Sequence, residues 1–240
     1  MDGVNTSEIS NLTGMVFMVK DTKMRAVVGV SCCLSILGSL LIILSYILFK
    51  NRRTRARQIL LHISFMDLGV ALANLIGLSV YFDHFYFVYK HRYHKHVPAY
   101  IHKLCKTQAF FAAYCTYASI LWTIALAGFL YFLILHHRTK RAIYFLRSCY
   151  VICYALPLLV SLWLVLTEKL GYSPLDSSGW CTLLSRDLGT GKIDIFSTVF
   201  GNDLWVCLAI ITIPILYLSI RCYLASQVNY TFSISPLGAI

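Results

Sequence analysis

The stretch Leu60–Val70, LLHISFMDLGV, places one aspartate, Asp67, inside a nearly continuous apolar run. Between residues 59 and 80 the chain has no other acid, lysine or arginine. A run of about 20 uncharged residues is long enough to cross the hydrocarbon core of a bilayer as a helix. Whether Asp67 is a surface charge or an intramembrane one therefore depends on the rest of the chain.

Composition favours lipid over water as the surroundings of this run. Hydrophobic residues make up 58% of the 240 residues and charged residues 13%, whereas a soluble domain is roughly 45–50% apolar and about 25% charged. Four further apolar runs occur. We predict an all-α membrane protein with helices at about 26–49, 59–80, 108–135, 145–166 and 198–220 in a domain spanning 26–221, an extracellular segment at 1–25 and a short cytoplasmic tail at 222–240.

The distribution of charge predicts the orientation of the chain. The net charge is +11, but basic residues are densest in the short segments 50–58 and 136–147, neither of which contains an acid. Short basic segments beside a membrane stay cytoplasmic, so the partner of this charge is the lipid bilayer and not nucleic acid. The N-terminus is then extracellular, and Asn5 and Asn11, which begin Asn-x-Ser/Thr sequons, are candidate glycosylation sites.

The nine cysteines divide by position. Most lie within the apolar runs, where a thiol usually packs as a small apolar group. Cys105, just before the third run, and Cys181, between the fourth and fifth, belong to outer segments. Because the outer side of a membrane is oxidising, we predict a disulfide between these two residues.

Asp67 is predicted to face the interior of the helix bundle together with Ser64 and Asn74. A carboxylate at this depth costs about 2.5–3.5 kcal/mol on insertion scales, so intramembrane acids usually face protein and have a role. One interpretation is a polar switch or a cation site between helices. The other is a hydrogen-bonded structural acid.

Several short motifs, in order, resemble the cyclic-AMP-receptor-like and secretin-like group of G-protein-coupled receptors. They are Arg55-Ala56-Arg57 with Ser64–Leu68, LWTIALAGFLYF at Leu121–Phe132, ALPLL at Ala155–Leu159, Gly171-Tyr172 with GWC at Gly179–Cys181, and IPILYL at Ile213–Leu218. The resemblance implies five transmembrane helices of a seven-helix G-protein-coupled receptor bundle. It also implies signal transduction between an extracellular ligand and a heterotrimeric G protein, in the plasma membrane or the cilium.

Site residues follow from the same resemblance. The candidate ligand pocket comprises Trp122, Tyr131, Trp180, Asp203 and Trp205, although packing and interfacial anchoring also explain some of these residues. The candidate G-protein-facing residues are Arg55, Arg57, Arg138 and Arg141, for which topology and contact with anionic lipid are the alternative.

The chain has no sixth or seventh apolar run after Arg221, so we expect an incomplete or truncated receptor. A regulatory fragment that pairs with a full-length receptor and a small five-helix transporter or channel component are the alternatives. Enzyme signatures are absent from the sequence, and we expect no catalytic residue and no cofactor. The histidines of the outer loop, His91, His94 and His96, bring neither cysteine nor acid with them, so we expect no metal site.

Overall fold

The computed structural model describes residues 22–49, 54–90, 99–135, 139–171, 181–184 and 194–234. The helices are α1 (Thr22–Leu48), α2 (Arg55–Lys90), α3 (Ala99–Leu135), α4 (Thr139–Leu166), α5 (Ile195–Thr198) and α6 (Leu204–Ile234). A π-helical turn, Val199–Asp203, joins α5 to α6. Two short strands, β1 (Leu170–Gly171) and β2 (Thr182–Leu183), pair antiparallel.

Five helices in the described part of the chain are long and apolar enough to cross a membrane. The first four are α1 to α4, and the fifth span is formed by α5, the π turn and α6 in succession. The predicted all-α membrane fold is therefore confirmed. Many large apolar side chains on these helices are exposed, as expected where lipid is the solvent.

The helices extend further than the predicted apolar runs. α2 continues to Lys90 instead of ending near residue 80, and α3 begins at Ala99 instead of about 108. The fifth span runs to Ile234, so the predicted short tail from residue 222 is largely helical. The difference arises because charged and aromatic residues end a hydrophobic run without ending a helix, whose backbone bonds also form in water.

α3 is the central element of the bundle. It packs against α2, α4, α6 and both strands, and α1 packs against α2. Two buried clusters lie along α3. The cluster containing Cys105, Tyr117 and Trp205 lies at the "disulfide end", and the cluster containing Ile59 and Trp122 lies towards the "basic end", where α2 begins and α3 ends.

The predicted disulfide between Cys105 and Cys181 is present, with the two Cα atoms 5.4 Å apart. It fastens the segment entering β2 to the first part of α3. An ion pair of 2.7 Å between Lys169 Nζ and Asp194 Oδ2 joins the residue before β1 to the residue before α5. Both links hold described residues between the fourth and fifth spans, namely those next to β1, β2 and α5, at the disulfide end of the bundle.

α2 and α3 approach closely at Gly69. A Cβ atom added there would lie 2.6 Å from Cys115 Sγ, too close for two unbonded atoms. Cys115 is itself buried, so the sulfur has little room to move. Glycine at position 69 is therefore required by helix contact, since the backbone is ordinary α-helix.

We predict that Gly69→Ala destabilises the fold by about 1–3 kcal/mol because it overpacks this contact. Cys115→Ala removes the sulfur, so Gly69→Ala should cost much less when both changes are combined. The measurement is the thermal unfolding midpoint of the purified protein in one detergent. Gly38→Ala is the matched control, because nothing lies within 4 Å of an added Cβ atom there. If the double variant lowers the unfolding midpoint by as much as the two single variants together, the result would contradict a contact between positions 69 and 115.

Candidate functional site

A cavity of about 320 Å³ opens at the disulfide end of the bundle. It lies between the first parts of α1 and α3, the middle of α2, β2 and the π turn. Its lining residues are Val28, Val70, Asn74, Ala109, Ala112, Ala113, Thr116, Tyr117, Cys181, Thr182, Leu183, Gly201 and Asn202. The volume is at the lower end of the range for small-molecule sites.

The α3 wall of the cavity consists mostly of small side chains. Ala109, Ala112, Ala113 and Thr116 are spaced at i, i+3, i+4 and i+7, which puts them on one face of the helix. Small residues on this face leave the space between α2 and the fifth span unfilled. The cavity therefore results from the side-chain pattern of α3 and does not require a gap between helix axes.

The π turn forms the opposite wall and is held by two aromatic side chains. The Tyr117 hydroxyl donates a hydrogen bond to the Gly201 carbonyl, and Trp205 Nε1 donates to the Phe200 carbonyl at 2.9 Å. The Tyr117 and Trp205 rings stack with centroids 5.0 Å apart and planes inclined by 16°. Both rings are buried, so they fix the π turn against α3.

Asp67 lies one helical turn from Val70, on the basic-end side of the cavity. Its Oδ1 accepts a hydrogen bond of 2.6 Å from the Ser119 hydroxyl on α3. Ser119 is likewise one turn from the lining residue Thr116. The aspartate is partly buried, and its interhelical bond links α2 to α3 below the floor of the cavity.

An aromatic cluster nearer the basic end joins α2, α3 and α4. His62 stacks on the fully buried Trp122 with centroids 4.6 Å apart. Its Nδ1 lies 2.7 Å from the Tyr154 hydroxyl and its Nε2 lies 3.2 Å from the Tyr150 hydroxyl. In a neutral imidazole one nitrogen donates and the other accepts, so one tyrosine must donate and the other must accept.

Asp194 carries a perturbed pKa at the rim of the disulfide end. The hydrogen bond from Lys169, followed by the bonds from the Ser197 side chain and backbone, lowers the pKa of Asp194 to about 2. Asp194 also caps α5, since its Oδ1 accepts from the Ser197 amide at 3.2 Å. The carboxylate therefore remains charged over the whole physiological range.

The basic end carries the arginines predicted to face a G protein. Arg55, Arg57 and Arg141 are exposed, and Arg55 Nη1 donates to Gln58 Oε1 at 3.1 Å. Arg138 lies outside the described residues. The exposed guanidinium groups leave this surface positively charged at one end of the bundle.

The structure separates the predicted intramembrane polar site into parts. Ser64 donates its hydroxyl proton to the Leu60 carbonyl of its own helix at 2.9 Å, so it does not donate to Asp67. Asn74 lines the cavity at the disulfide end. The aspartate instead takes Ser119, which the sequence did not single out, as its partner.

Two of the residues predicted to form a ligand pocket lie away from this cavity. Trp122 is fully buried in the aromatic cluster, and Tyr131 lies fourteen residues beyond Tyr117, about 21 Å further along α3. Neither lines the cavity. The sequence shows that these rings lie on the third span but not at which depth or face a pocket would form.

The remaining predicted residues stand closer to the cavity or outside the described part of the chain. Asp203 follows the lining residue Asn202 and accepts a hydrogen bond from its amide at 3.1 Å, and Trp205 supports the wall through Tyr117. Trp180, Asn5 and Asn11 lie outside the described residues, as do His91, His94 and His96. Among the described residues no three His, Cys, Asp or Glu side chains are placed to hold a metal ion.

Several residues of this region were missed by sequence reasoning. Thr116 and Ser119 interrupt an apolar run at helical spacing, and this polar stripe is a signal that a helix face meets protein instead of lipid. His62 stands five residues before Asp67 in the opening stretch and was treated as part of an apolar run. Gly201 and the π turn have no comparable pattern in the sequence by which they could have been predicted.

This arrangement is a membrane helix bundle with a cavity at one end and a basic surface at the other, and comparisons with known proteins place the chain in a family. Residues 21–187 match the model of the 7 transmembrane receptor (Secretin family). The chain belongs to this family.

Its relatives include G-protein coupled receptor 157 of Homo sapiens, to which it is 32% identical over 199 residues, 82% of this chain and 53% of the relative. The same receptor of Mus musculus is 31% identical over 201 residues, 82% of this chain and 54% of the relative. The chain thus spans about half the length of the curated relatives it matches.

We predict that Tyr117→Phe destabilises the fold by about 0.5–1.5 kcal/mol, because the buried Gly201 carbonyl loses a hydrogen bond while the ring stack remains. The thermal unfolding midpoint in detergent measures the effect. Tyr144→Phe, at a tyrosine that is 68% exposed, is the matched control and should change nothing. Equal unfolding midpoints for the two variants would show that the hydrogen bond from Tyr117 to Gly201 does not contribute to the stability of the fold.

We predict that the bonds to Asp194 stabilise the α5 cap fully at pH values above 3.8, the ordinary pKa of this carboxyl group. The stabilisation is lost as the pH falls towards about 2, the pKa of Asp194 in the folded protein. This sign follows because the folded-state pKa lies below the unfolded one. A ¹³C NMR titration of the Asp194 carboxyl measures the pKa. Lys169→Met should raise it towards 3.8, whereas Lys103→Met should not. An unchanged midpoint in Lys169→Met would rule out the ion pair as the main cause.

Proposed function

We propose that the protein is a receptor that converts a stimulus at the disulfide end into a G-protein response at the basic end. The observation that carries the proposal is the position of the cavity and the basic surface at opposite ends of one helix bundle, in a chain of the secretin receptor family. The relatives it matches carry the name G-protein coupled receptor.

The disulfide end is the extracellular one in this proposal. A disulfide forms in an oxidising compartment, and the basic end agrees with the preference of cationic segments for the cytoplasm. α1 begins at the disulfide end, since its Gly29 approaches Leu78 near the far part of α2. Asn5 and Asn11 precede α1 and are then positioned for glycosylation.

Asp67 is proposed to act as a conformational link between the two ends. Its bond to Ser119 couples α2 to α3 between the cavity and the aromatic cluster. A carboxylate inside a membrane bundle is expensive, and such residues are usually retained for function. A ligand that shifts α2 against α3 would strain this 2.6 Å bond.

The exposed arginines Arg55, Arg57 and Arg141, with Arg138, are proposed to face a heterotrimeric G protein. Coupling in this proposal uses a bundle completed by sixth and seventh helices, in the plasma membrane or the cilium. Family membership favours this receptor function over a transporter or channel component. A regulatory fragment that pairs with a full receptor remains an outcome of the experiment below.

A resonance-energy-transfer assay of G-protein activation in living cells tests the proposal. The chain is joined after Arg221 to the part of the human relative beyond the matched region and assayed against all G-protein subfamilies. We expect activation of at least one subfamily above an empty vector. Arg55→Gln combined with Arg57→Gln and Arg141→Gln should lower this signal several-fold at equal surface level, because the charged contact surface is lost.

Lys103→Gln, which removes a cation at the disulfide end, is the matched control and should leave the signal unchanged. A joined chain that reaches the surface and activates no subfamily would overturn the receptor proposal. If instead the unjoined chain lowers the signal of the co-expressed human relative, the regulatory-fragment function would replace it.

A further inference from the structure

We propose that the cavity binds a small uncharged molecule, which it recognises through amide and hydroxyl hydrogen bonds. The inference rests on the proposed receptor function and names the chemical class of its ligand. It is carried by the polar groups of the cavity wall, by the pairing of the charges around it and by its size.

The cavity offers hydrogen-bonding atoms that no other described residue uses. The Asn74 amide and the Thr182 hydroxyl form no hydrogen bond with another described residue and can both donate and accept. They stand on α2 and β2, on different walls of the cavity. Two such groups can hold a ligand in one orientation.

Two further groups are left as acceptors. Thr116 has used its proton on the Ala112 carbonyl at 2.8 Å, so its oxygen can only accept. Asn202 donates one Nδ2 proton to Asp203, so its carbonyl oxygen is left as an acceptor and its second Nδ2 proton as a donor. A ligand that carries both donor and acceptor atoms, such as an alcohol or an amide, matches this set.

A buried acceptor next to the cavity supports the same class of ligand. Gln108 is 5% exposed, precedes the lining residue Ala109, and its Oε1 has no hydrogen-bond partner among the described residues. Its amide lies against Gly77, one turn beyond Asn74 on α2. A buried carbonyl without a donor is costly, and a ligand or ordered water that donates a hydrogen bond there would remove the cost.

No charged side chain lines the cavity in the described part of the chain. The acids nearest to it already have partners, since Asp67 accepts from Ser119 and Asp203 accepts from Asn202. A charged ligand would have to give up water without meeting an opposite charge on this wall, which is expensive in an apolar surrounding.

Two lysines at the rim form ion pairs. Lys106 lies 3.3 Å from Glu168, and Lys169 lies 2.7 Å from Asp194. Each of these two lysines faces an acid, so these pairs add little attraction for either sign of charge. The balance favours an uncharged molecule over an amine or a carboxylate.

The size of the cavity and the apolar part of its wall set the remaining properties of the ligand. About 320 Å³ accommodates a small molecule and not a folded peptide hormone. Val28, Val70 and Leu183 supply apolar contact beside the alanines of α3. The ligand is thus a compact molecule with an apolar body and hydroxyl or amide groups.

Cysteine accessibility with three methanethiosulfonate reagents of different charge tests the inference on the full chain in cell membranes. Ala113→Cys places a thiol in the cavity wall. The reagents are the neutral hydroxyethyl, the cationic trimethylammonioethyl and the anionic sulfonatoethyl compounds. The labelling rate of the chain without an introduced cysteine is subtracted from each rate. The corrected rate of each reagent is then divided by its rate at Thr167→Cys, an exposed position just beyond α4.

After this correction we expect the neutral reagent to react at Ala113→Cys about tenfold faster than either charged reagent, because charged groups must be desolvated without a counter-ion. Phe111→Cys, on the exposed apolar face of the same helix, controls for entry through lipid and should react about tenfold more slowly with the neutral reagent. Asn74→Leu in the Ala113→Cys chain should slow the neutral reagent, because its hydroxyl group loses a hydrogen-bond partner in the cavity wall.

A cationic or anionic reagent that reacts as fast as the neutral one would overturn the inference, as would equal neutral rates at positions 113 and 111. Absence of reaction at Ala113→Cys while Thr167→Cys reacts would also overturn it. If Ala113→Cys does not reach the membrane, Ala112→Cys in the same wall replaces it. The labelling rates need no G protein, so failure of the receptor proposal and failure of this inference are separately visible.

Discussion

Hydrocarbon supplies no hydrogen-bond partner, and this constraint governs how the polar side chains of the bundle are arranged. Asp67 finds Ser119 across a helix contact, Tyr117 reaches the Gly201 carbonyl, and both nitrogens of His62 meet tyrosine hydroxyls. Each of these contacts crosses from one helix to another. The polar groups therefore determine which faces meet, in a protein whose apolar faces do not discriminate between lipid and a neighbouring helix.

α3 takes part in two of these four hydrogen bonds and also supplies Trp122, on which His62 stacks, because it is surrounded by other elements. Its disulfide end is fixed by Cys105, its middle by Ser119 and its later part by Trp122. The small residues between Cys105 and Tyr117 leave the cavity on one side of a helix that is otherwise closely packed. The cavity wall is thus rigid on α3 and is supported on the opposite side by the π turn.

The sequence predicts the number of spans and the disulfide because both depend on composition along the chain: long uncharged runs have one stable form in lipid, and two cysteines belong to outer segments. It does not predict helix ends, since α2 and α6 continue through polar residues. It also does not show that Trp122 and Tyr131 lie away from the cavity, because an aromatic residue in an apolar run looks the same whether it lines a cavity or packs against another helix. Depth and face come from the neighbouring helices, as Ser119 illustrates for Asp67.

The π turn has a geometric consequence for the fifth span. Because it adds one residue to a helical turn, everything after Asp203 is rotated by about 100° relative to an uninterrupted α-helix. Trp205 stacks on Tyr117 in this rotated phase. Deleting a single residue from the turn would bring α6 back into phase with α5 and point a different stripe of side chains at α3. The phase of the fifth span is therefore set by a one-residue insertion and not by its apolar residues.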